Sequence, residues 1–426
     1  MAPYDLYLRR NRKIFFPVMK KHLQNPVSRA FILSNLVACP FFGIFALLPM
    51  ILCRELDATP FQISTMTALK PLTALFVSYW SSSRLGEEHR LGLLWAYFLK
   101  FLPFVLIPFF SSPWMFIFAF GMHMLLLRGV IPTWMELLKQ NLSESDRGKV
   151  CATGSTINYL CTALMPILFG WVLDMLNGSW RWVFVLTSLL GMCSVWIIFK
   201  TLQTPTQQYH REKGKPLRHH LSKPWRNSWS LLRKRPDFLQ FQMGFFLGGA
   251  GLMTMHATIP KYFTETLHLS YTEMFLAVCL CKGVGFTIAS PFWVKVFNRS
   301  EIFLFCARVP LIAAIFPALL ILAKFNFLFV FLAYFLYGVM QSGSELGWKM
   351  SGPIFSAEKD SRPYSLINVL AVGVRGAIFP YFGAALFIYG GPYLSFIVGG
   401  LFCLMGSIHI FRSSKKHAIP VQQQAL

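Results

Sequence analysis

Apolar residues in this chain fall into twelve long runs that are separated by polar connections. Each run has about the 20 residues that an α-helix needs to cross the hydrocarbon layer of a bilayer. The pattern therefore predicts an all-α membrane protein with twelve transmembrane helices, here called spans 1 to 12. In chain order the spans cover residues 30–53, 60–82, 90–110, 113–136, 150–174, 180–201, 238–262, 270–296, 301–322, 326–348, 363–389 and 392–411.

One connection is much longer than the others and divides the spans into six and six. This central stretch is polar, basic and contains proline. Trp225, Trp229 and Leu232 recur in it at helical spacing, a pattern that fits either a helix lying on the membrane surface or an irregular basic linker. The expected organisation is a basic tail (1–28), a six-helix bundle (29–201), a central loop (202–237), a second six-helix bundle (238–412) and a short tail (413–426).

The charge of the chain supports a membrane location. Charged residues make up 13% of the sequence, whereas typical soluble proteins have about 25%. Of the 40 Lys and Arg residues behind the net charge of +23, 29 lie in the tails and in the connections on their side, and four lie on the other side. Because basic residues favour cytoplasmic loops, both termini are expected in the cytoplasm. This distribution favours anionic lipid over nucleic acid as the partner of the charge.

The two halves of the chain are similar to each other. An offset of about 211 to 214 residues places Lys70 over Lys282 and Pro49 over Pro260. The same offset places "LKPLTALFVSYW" over "CKGVGFTIASPF". Parallel six-helix repeats of this kind are typical of transporters in which two bundles rock around a site near the midplane.

Four short motifs carry a resemblance to a known family. They are "LPMILCRELDATPFQIS" (48–64), "SDRGKVCATGS" (145–155), "SWRWVF" (179–184) and "LLRKRPDF" (231–238). Together with the six-plus-six plan, they resemble the major facilitator superfamily over nearly the whole chain. The resemblance implies two pseudo-symmetric six-helix bundles around a central cavity. The stretch "SSSRLGEEHRLG" (81–92) departs from the family pattern, because it keeps Arg84 and Arg90 but lacks the usual aspartate.

Several cations lie inside the spans without an obvious acidic partner. Lys70 is about ten residues from either end of span 2, so its Cα lies about 15 Å from each interface. A lysine side chain cannot reach water from that depth, and an unpaired charge there costs about 2.5–3.5 kcal/mol on insertion scales. The other cations in the spans are Lys100, Arg128, Lys282, Arg308 and Arg375.

We interpret the missing counter-charge as an anionic substrate. Arginine binds an anion with two parallel donors and lysine binds it as a point charge. In the resembled family spans 1, 4, 7 and 10 line the cavity and spans 2, 5, 8 and 11 form its sides. By that resemblance Lys70, Arg128, Lys282 and Arg375 are the substrate-binding candidates, while Lys100 and Arg308 serve packing or reach towards the interface. Two alternatives stay open: bonds to helix carbonyls and buried amides, and pairing with acids near the helix ends.

Four further residues have candidate roles in coupling or gating. His123 in span 4 and His256 in span 7 are candidates for carrying a coupling proton, since an intramembrane histidine is able to titrate. Exchange against a counter-anion is equally open. Glu345 and Lys349 are four residues apart and are expected to pair as a gate or a structural contact.

The function expected from these features is secondary active transport of a small, anionic solute by alternating access. No P-loop is present and no His/Asp/Ser cluster suggests an enzyme. The nine cysteines lack metal-binding spacing and are expected to be small buried hydrophobes. We therefore expect no catalytic residue, metal or cofactor. The short loops favour a bacterial inner membrane, and a monomer is expected. The alternatives are an efflux transporter for drugs or a siderophore and, in another class, a non-transporting sensor on a transporter fold.

Overall fold

The structure is a computed structural model, and it describes residues 25–81, 89–142, 144–176, 178–202, 217–356 and 362–417. Most of the N-terminal tail, the loop that carries Arg84, and residues 418–426 of the C-terminal tail lie outside these ranges. In chain order the helices are α1 (Pro26–Leu56), α2 (Pro60–Ser81), α3 (His89–Val105), α4 (Pro113–Asn141), α5 (Glu144–Met175), α6 (Trp180–Thr201), α7 (Leu217–Lys234), α8 (Pro236–His256), α9 (Tyr271–Arg299), α10 (Ile302–Leu322), α11 (Leu328–Ser356) and α12 (Arg362–His417).

The predicted spans correspond to these helices. Spans 1 to 6 are α1 to α6, and spans 7 to 10 are α8 to α11. Spans 11 and 12 are the two halves of α12, which is broken at Gly391 by a φ of 72° and a ψ of −174°. This positive φ favours glycine, and the following Pro392 suits the first turn of a new helix. The twelve-span, all-α prediction is confirmed, and the central stretch contains the helix α7 rather than only an irregular linker.

Each six-helix set packs around its own aromatic core. In the first set α1 packs against α5 and α6, α2 against α4, and α3 against α4 and α6. Phe41 of α1 lies at the centre of this set, with its ring centroid 5.0 Å from those of both Phe101 and Phe104. In the second set α12 packs against α8 and α10, and α9 packs against α11.

Glycines bring α9 and α11 into backbone contact. A Cβ added at Gly285 would lie 2.1 Å from the carbonyl oxygen of Phe335, and one added at Gly338 would lie 2.0 Å from that of Lys282. Small residues at such crossings allow close packing between helices in a membrane. The contact fixes the position of the backbone that carries Lys282.

The two sets meet along a seam that is formed by α2 with α12 and by α5 with α9. The Pro71 ring of α2 lies against Gly376 of α12, where an added Cβ would be only 2.1 Å from the proline Cγ. Ser64 Oγ of α2 donates to the Pro380 carbonyl oxygen at 3.0 Å. Residues close to this seam are therefore placed between the bundles.

The cysteines follow the sequence expectation in part. Cys53, Cys306 and Cys403 are free and buried, as expected of small hydrophobic residues. Cys193 is free but exposed. Cys39 departs from the expectation because it is disulfide-bonded.

Candidate functional site

Lys70 lies on α2 next to the proline that touches the second bundle. Its side chain is exposed although the residue is deep in its span. Lys282 on α9 and Arg128 on α4 both act on it electrostatically. A side chain that is accessible and close to cations of two other helices faces a space between the helices rather than lipid. Lys70 therefore lies at the wall of the space between the bundles.

Lys282 occupies the matching place in the second half. It follows directly after a π-helical turn, Leu276–Cys281, and such turns are frequent at functional sites. Its Nζ atom lies 5.4 Å from the centroid of the Tyr337 ring. Lys282 also acts electrostatically on His256, more strongly than Lys70 does.

Arg375 on α12 is held by α8. Its Nη1 donates to the carbonyl oxygen of Phe245 at 2.9 Å, and the guanidinium carbon lies 5.7 Å from the Phe245 ring centroid. An added Cβ at Gly249 would be 2.0 Å from Nη1, so this glycine makes room for the guanidinium. The buried Nε atom has no hydrogen-bond partner. One nitrogen of Arg375, Nη1, thus bonds to a helix carbonyl, as the alternative to substrate binding expects. Another, Nε, is a donor without a partner.

The structure brings together three of the four predicted cations. Lys282 and Arg128 both lie close enough to Lys70 to act on it electrostatically. Arg375 is connected to them through Tyr337, which acts electrostatically on the guanidinium and lies beneath the Lys282 ammonium. The two bundles contribute equally to the set, since α2 and α4 belong to the first bundle and α9 and α12 to the second. We call these four residues the cation cluster.

Tyr337 of α11 lies against the cation cluster, and the sequence reasoning did not identify it. Its hydroxyl is hydrogen-bonded to His256 Nε2 at 3.1 Å, in addition to its contact with Lys282. Gln341 lies one turn further along α11, and its Oε1 atom is buried without a partner. The signal was available in the sequence, because Tyr337, Gln341 and Glu345 recur every four residues and therefore share one helix face.

His123 and Lys100 lie elsewhere, inside the first bundle. His123 has no exposed surface and is surrounded by rings, with Phe45 4.6 Å and Phe41 4.9 Å away between centroids. Its Nδ1 atom is 3.0 Å from the Lys100 carbonyl oxygen. Lys100 is 1% exposed, and its Nζ lies 3.4 Å from the Tyr97 ring centroid. Of the two candidate coupling histidines, His256 is the one that bonds to Tyr337 and is acted on by Lys282 and Lys70. Lys100 is placed in packing.

The carboxylates that the structure describes do not neutralise the cation cluster by direct ion pairs. The ion pairs within the described part of the chain join Arg54 to Asp174, Arg235 to Asp237, and Lys261 to Glu265. Glu345 is partly buried and engaged in a contact. The side chain of Lys349 lies outside the described set, so the expected Glu345–Lys349 pair stays a prediction. Arg308 is exposed and bonds to Ser300 Oγ at 3.0 Å, away from the cluster.

Comparison with known proteins decides the family. A family model described as Major Facilitator Superfamily matches residues 30–348. The chain belongs to the Major Facilitator Superfamily. This confirms the resemblance that the four sequence motifs carried. Among curated protein sequences, none matches the chain closely enough to count as a relative.

Two solved structures show the same superfamily fold. Both are crystal structures of a bacterial homologue of the human lysosomal transporter Spinster, in an inward-facing conformation, one unoccupied and one occupied. Their TM-scores to this chain are 0.64 and 0.65, each with 12% sequence identity. Each comparison covers 92% of this chain and 98% of the other. At this identity the likeness establishes the fold alone.

The two six-helix bundles are held together at the end of the molecule where α1 and α5 end. Asp174 of α5 caps the start of α9, because the backbone N–H groups of Tyr271 and Thr272 donate to its carboxylate at 3.0 and 2.9 Å. The Thr272 hydroxyl donates to the same carboxylate at 2.7 Å. Tyr271 Oη donates to Glu55 at 3.1 Å, and the Arg54 guanidinium lies 4.6 Å from the Tyr271 ring centroid. We call these five residues the far-end clamp.

Proposed function

We propose that this protein is a secondary active transporter that moves a small anionic solute between the bundles by alternating access. The observation that carries the proposal is the cation cluster, to which each bundle contributes two side chains. Like charges at mid-depth repel each other, and an anion between them would turn that repulsion into attraction. Because the cations belong to opposing bundles, the same anion would also draw the bundles together.

The chemistry of the cluster suggests what the solute presents. The unused Nε donor of Arg375 and the ammonium groups of Lys70 and Lys282 suit carboxylate or phosphate oxygens. The buried, unpartnered Oε1 of Gln341 is an acceptor, and a hydroxyl group on the solute would satisfy it. We therefore favour an organic anion, a carboxylated or phosphorylated metabolite, over a bare inorganic ion.

Binding is tested by melting the purified protein in the presence of carboxylates, phosphates, sugar phosphates and nitrate. A ligand at 100 times its Kd should stabilise the folded protein by about 2.7 kcal/mol. Uptake of the best anion into proteoliposomes then tests transport. An anion that stabilises the protein but is not taken up, even into proteoliposomes loaded with the same anion for exchange, would support a sensor and refute a transporter.

The assignment of the site is tested by Lys70→Gln and Lys282→Gln. Hydrogen bonds to charged groups contribute about 1.5–3 kcal/mol, so each variant should weaken apparent affinity about 10- to 150-fold. Arg308→Gln is the matched control, because Arg308 is also a cation within a transmembrane span but lies away from the cluster. Unchanged affinity in both lysine variants, or an equal loss in the control, would show that the cluster is not the site.

Coupling to a proton is proposed for His256. The imidazole is half-buried, bonds to Tyr337, and is acted on by both lysines, so an anion between the lysines would stabilise its protonated form. In His256→Gln, uptake should lose its dependence on a pH gradient while anion binding remains. His268→Asn is the control, since His268 is exposed and its φ of 51° is tolerated by asparagine. Gradient-independent uptake by the unmodified protein would instead favour anion exchange.

We also propose that both termini face the cytoplasm, that the protein is a monomer, and that its membrane is a bacterial inner membrane. The orientation rests on the 29 Lys and Arg residues on the side of the termini against four on the other. A reporter enzyme that is active only outside the cytoplasm, fused after the last residue, should be inactive. An active fusion would reverse the proposed orientation.

A further inference from the structure

The helix α7 joins the two bundles and carries positive charge without any negative charge. Its 18 residues, "LRHHLSKPWRNSWSLLRK", include two arginines and a lysine in the described C-terminal part, and no aspartate or glutamate. A helix with this charge bias and with tryptophans has the composition of a segment that lies on a membrane surface. Composition alone does not say which face meets the lipid, but the packing of α7 does.

The side of α7 that faces the protein is clear from burial. Ser228 is 8% exposed, and Leu231 and Leu232 pack against the hydrophobic core. Trp225 and Trp229 are 45% and 58% exposed. With 3.6 residues per turn, both tryptophans fall on one flank of the helix beside the stripe that faces the protein.

The basic residues of α7 lie next to these tryptophans. At 3.6 residues per turn, Arg226 and Arg233 fall just beyond the tryptophans on the same flank. The Arg233 guanidinium carbon is 5.2 Å from the Trp229 ring centroid. The flank therefore presents two indole rings and two guanidinium groups side by side. We call these four residues the α7 flank.

The end of α7 is fixed to the second bundle, so the flank has a defined direction. Arg235, directly after α7, donates to both carboxylate oxygens of Asp237 at 3.0 and 2.8 Å. Its Nη1 also donates to the hydroxyl of Tyr364 in α12 at 3.1 Å. These bonds tie the junction of α7 and α8 to α12.

Similar pairs of exposed rings and cations occur at the same end of the molecule. Lys200 at the end of α6 has its Nζ 4.9 Å from the Trp196 ring centroid, and Trp196 is 63% exposed. Lys415 near the end of α12 has its Nζ 5.5 Å from the Phe411 ring centroid. A ring that is exposed beside a cation at the end of a transmembrane helix suits the headgroup region of a bilayer. The α7 flank thus continues a belt of such pairs.

We propose that the α7 flank is a binding surface for the anionic phospholipid headgroups of the leaflet at the terminus-side end of the molecule. The indole rings suit the headgroup level, where one edge is apolar and the other is wet. The guanidinium groups donate in parallel to phosphate oxygens. The charge of the flank is complementary to anionic lipid, since no acidic residue of α7 opposes it. This inference rests on the membrane fold and not on the anion-transport proposal.

The test measures tryptophan quenching in phosphatidylcholine liposomes that contain either brominated phosphatidylglycerol or brominated phosphatidylcholine. Bromine quenches tryptophan on contact, so the protein should be quenched more by the anionic lipid. This excess should disappear in Trp225→Phe/Trp229→Phe, which locates the contact. It should also disappear in Arg226→Gln/Arg233→Gln/Lys234→Gln, which removes both guanidinium groups of the flank together with the neighbouring Lys234 and so identifies positive charge as its cause.

A matched control removes the same charge from the same end of the molecule. Arg412→Gln/Lys415→Gln/Lys416→Gln should keep the excess quenching, because the α7 flank is intact. Inorganic phosphate should leave the excess quenching unchanged. If phosphate abolishes the excess quenching, the effect belongs to a site for the free anion and the proposal is overturned. Equal quenching by both lipids, persistence of the excess in either α7 variant, or its loss in the control would also overturn it. Each variant must melt at the temperature of the parent protein, and these exposed positions leave the core untouched.

Discussion

The far-end clamp must break if the bundles are to open at that end, and Asp174 is its central residue. Its carboxylate accepts three hydrogen bonds from the start of α9 and lies 3.6 Å from an Arg54 nitrogen. Replacement by alanine removes the three hydrogen bonds across the seam and the Arg54 contact within the first bundle. The carboxylate is partly buried, with 23% of the side chain exposed. Water can therefore replace the lost hydrogen bonds only in part.

The expected size of the effect follows from these bonds. Hydrogen bonds to a charged group contribute about 1.5–3 kcal/mol each, and a carboxylate at a helix N-terminus gains about 0.3–1 kcal/mol from the helix dipole. The three bonds share one carboxylate, and the freed N–H groups become accessible to water, so their contributions do not add fully. We expect Asp174→Ala to destabilise the closed clamp by about 2–3 kcal/mol, which favours opening about 30- to 150-fold.

Hydrogen exchange measured by mass spectrometry reports this opening. The amides of Tyr271 and Thr272 lose their acceptor directly, so they should exchange faster in Asp174→Ala whatever the bundles do. The segment Ile259–Lys261 packs on α1 and has no bond to Asp174. The informative amides are those of Ile259 and Lys261, since Pro260 between them has no N–H. Their exchange should also accelerate, with Asp174→Asn intermediate because an amide oxygen remains an acceptor. Acceleration below about threefold at Ile259–Lys261 would refute the idea that Asp174 holds the bundles together.

Two further predictions concern the interior of the bundles. Lys100→Met should leave the melting temperature unchanged or raise it and should retain transport, because an apolar side chain replaces a buried cation that contacts the Tyr97 ring; a clear drop in either would show that the charge is needed. Gly285→Ala should cost about 1–3 kcal/mol in thermal unfolding because its Cβ would meet the Phe335 backbone. Gly283→Ala on the same helix, with open space around it, should be nearly neutral, and equal melting of the two variants would contradict the close packing of α9 and α11.

The sequence was sufficient for the fold because the bilayer imposes simple rules. A spanning segment must be helical and about 20 residues long, so the apolar runs alone locate the helices. The runs also place the boundary between spans 11 and 12 at the Gly391 break. What they could not locate were the π-helical turns at Tyr262–Thr266 and Leu276–Cys281, which leave no mark in hydropathy.

For the candidate site, the sequence gives the depth of each residue in the membrane but not the direction of its side chain. Depth along a helix can be counted from the sequence, so Lys70 and Lys282 were located as cations at mid-depth of their spans. The side that a residue faces depends on packing. His123 and His256 look alike in the sequence, yet His123 lies among phenylalanine rings and His256 contacts Tyr337. Tyr337 itself was missed because a tyrosine in an aromatic-rich span carries no charge to draw notice.

The backbone beside the cations of the cluster is irregular, and this bears on how four like charges are tolerated near each other. Arg375 bonds to the carbonyl of Phe245. Lys70 precedes Pro71, which lacks an N–H, so a carbonyl one turn earlier loses its usual helical donor. Lys282 follows a π-helical turn, where the regular pairing is also interrupted. Carbonyl dipoles compensate a cation only weakly, while a full negative charge compensates it strongly. Helix irregularities beside the cations would therefore stabilise the cluster weakly and still leave most of the electrostatic gain for the proposed anion.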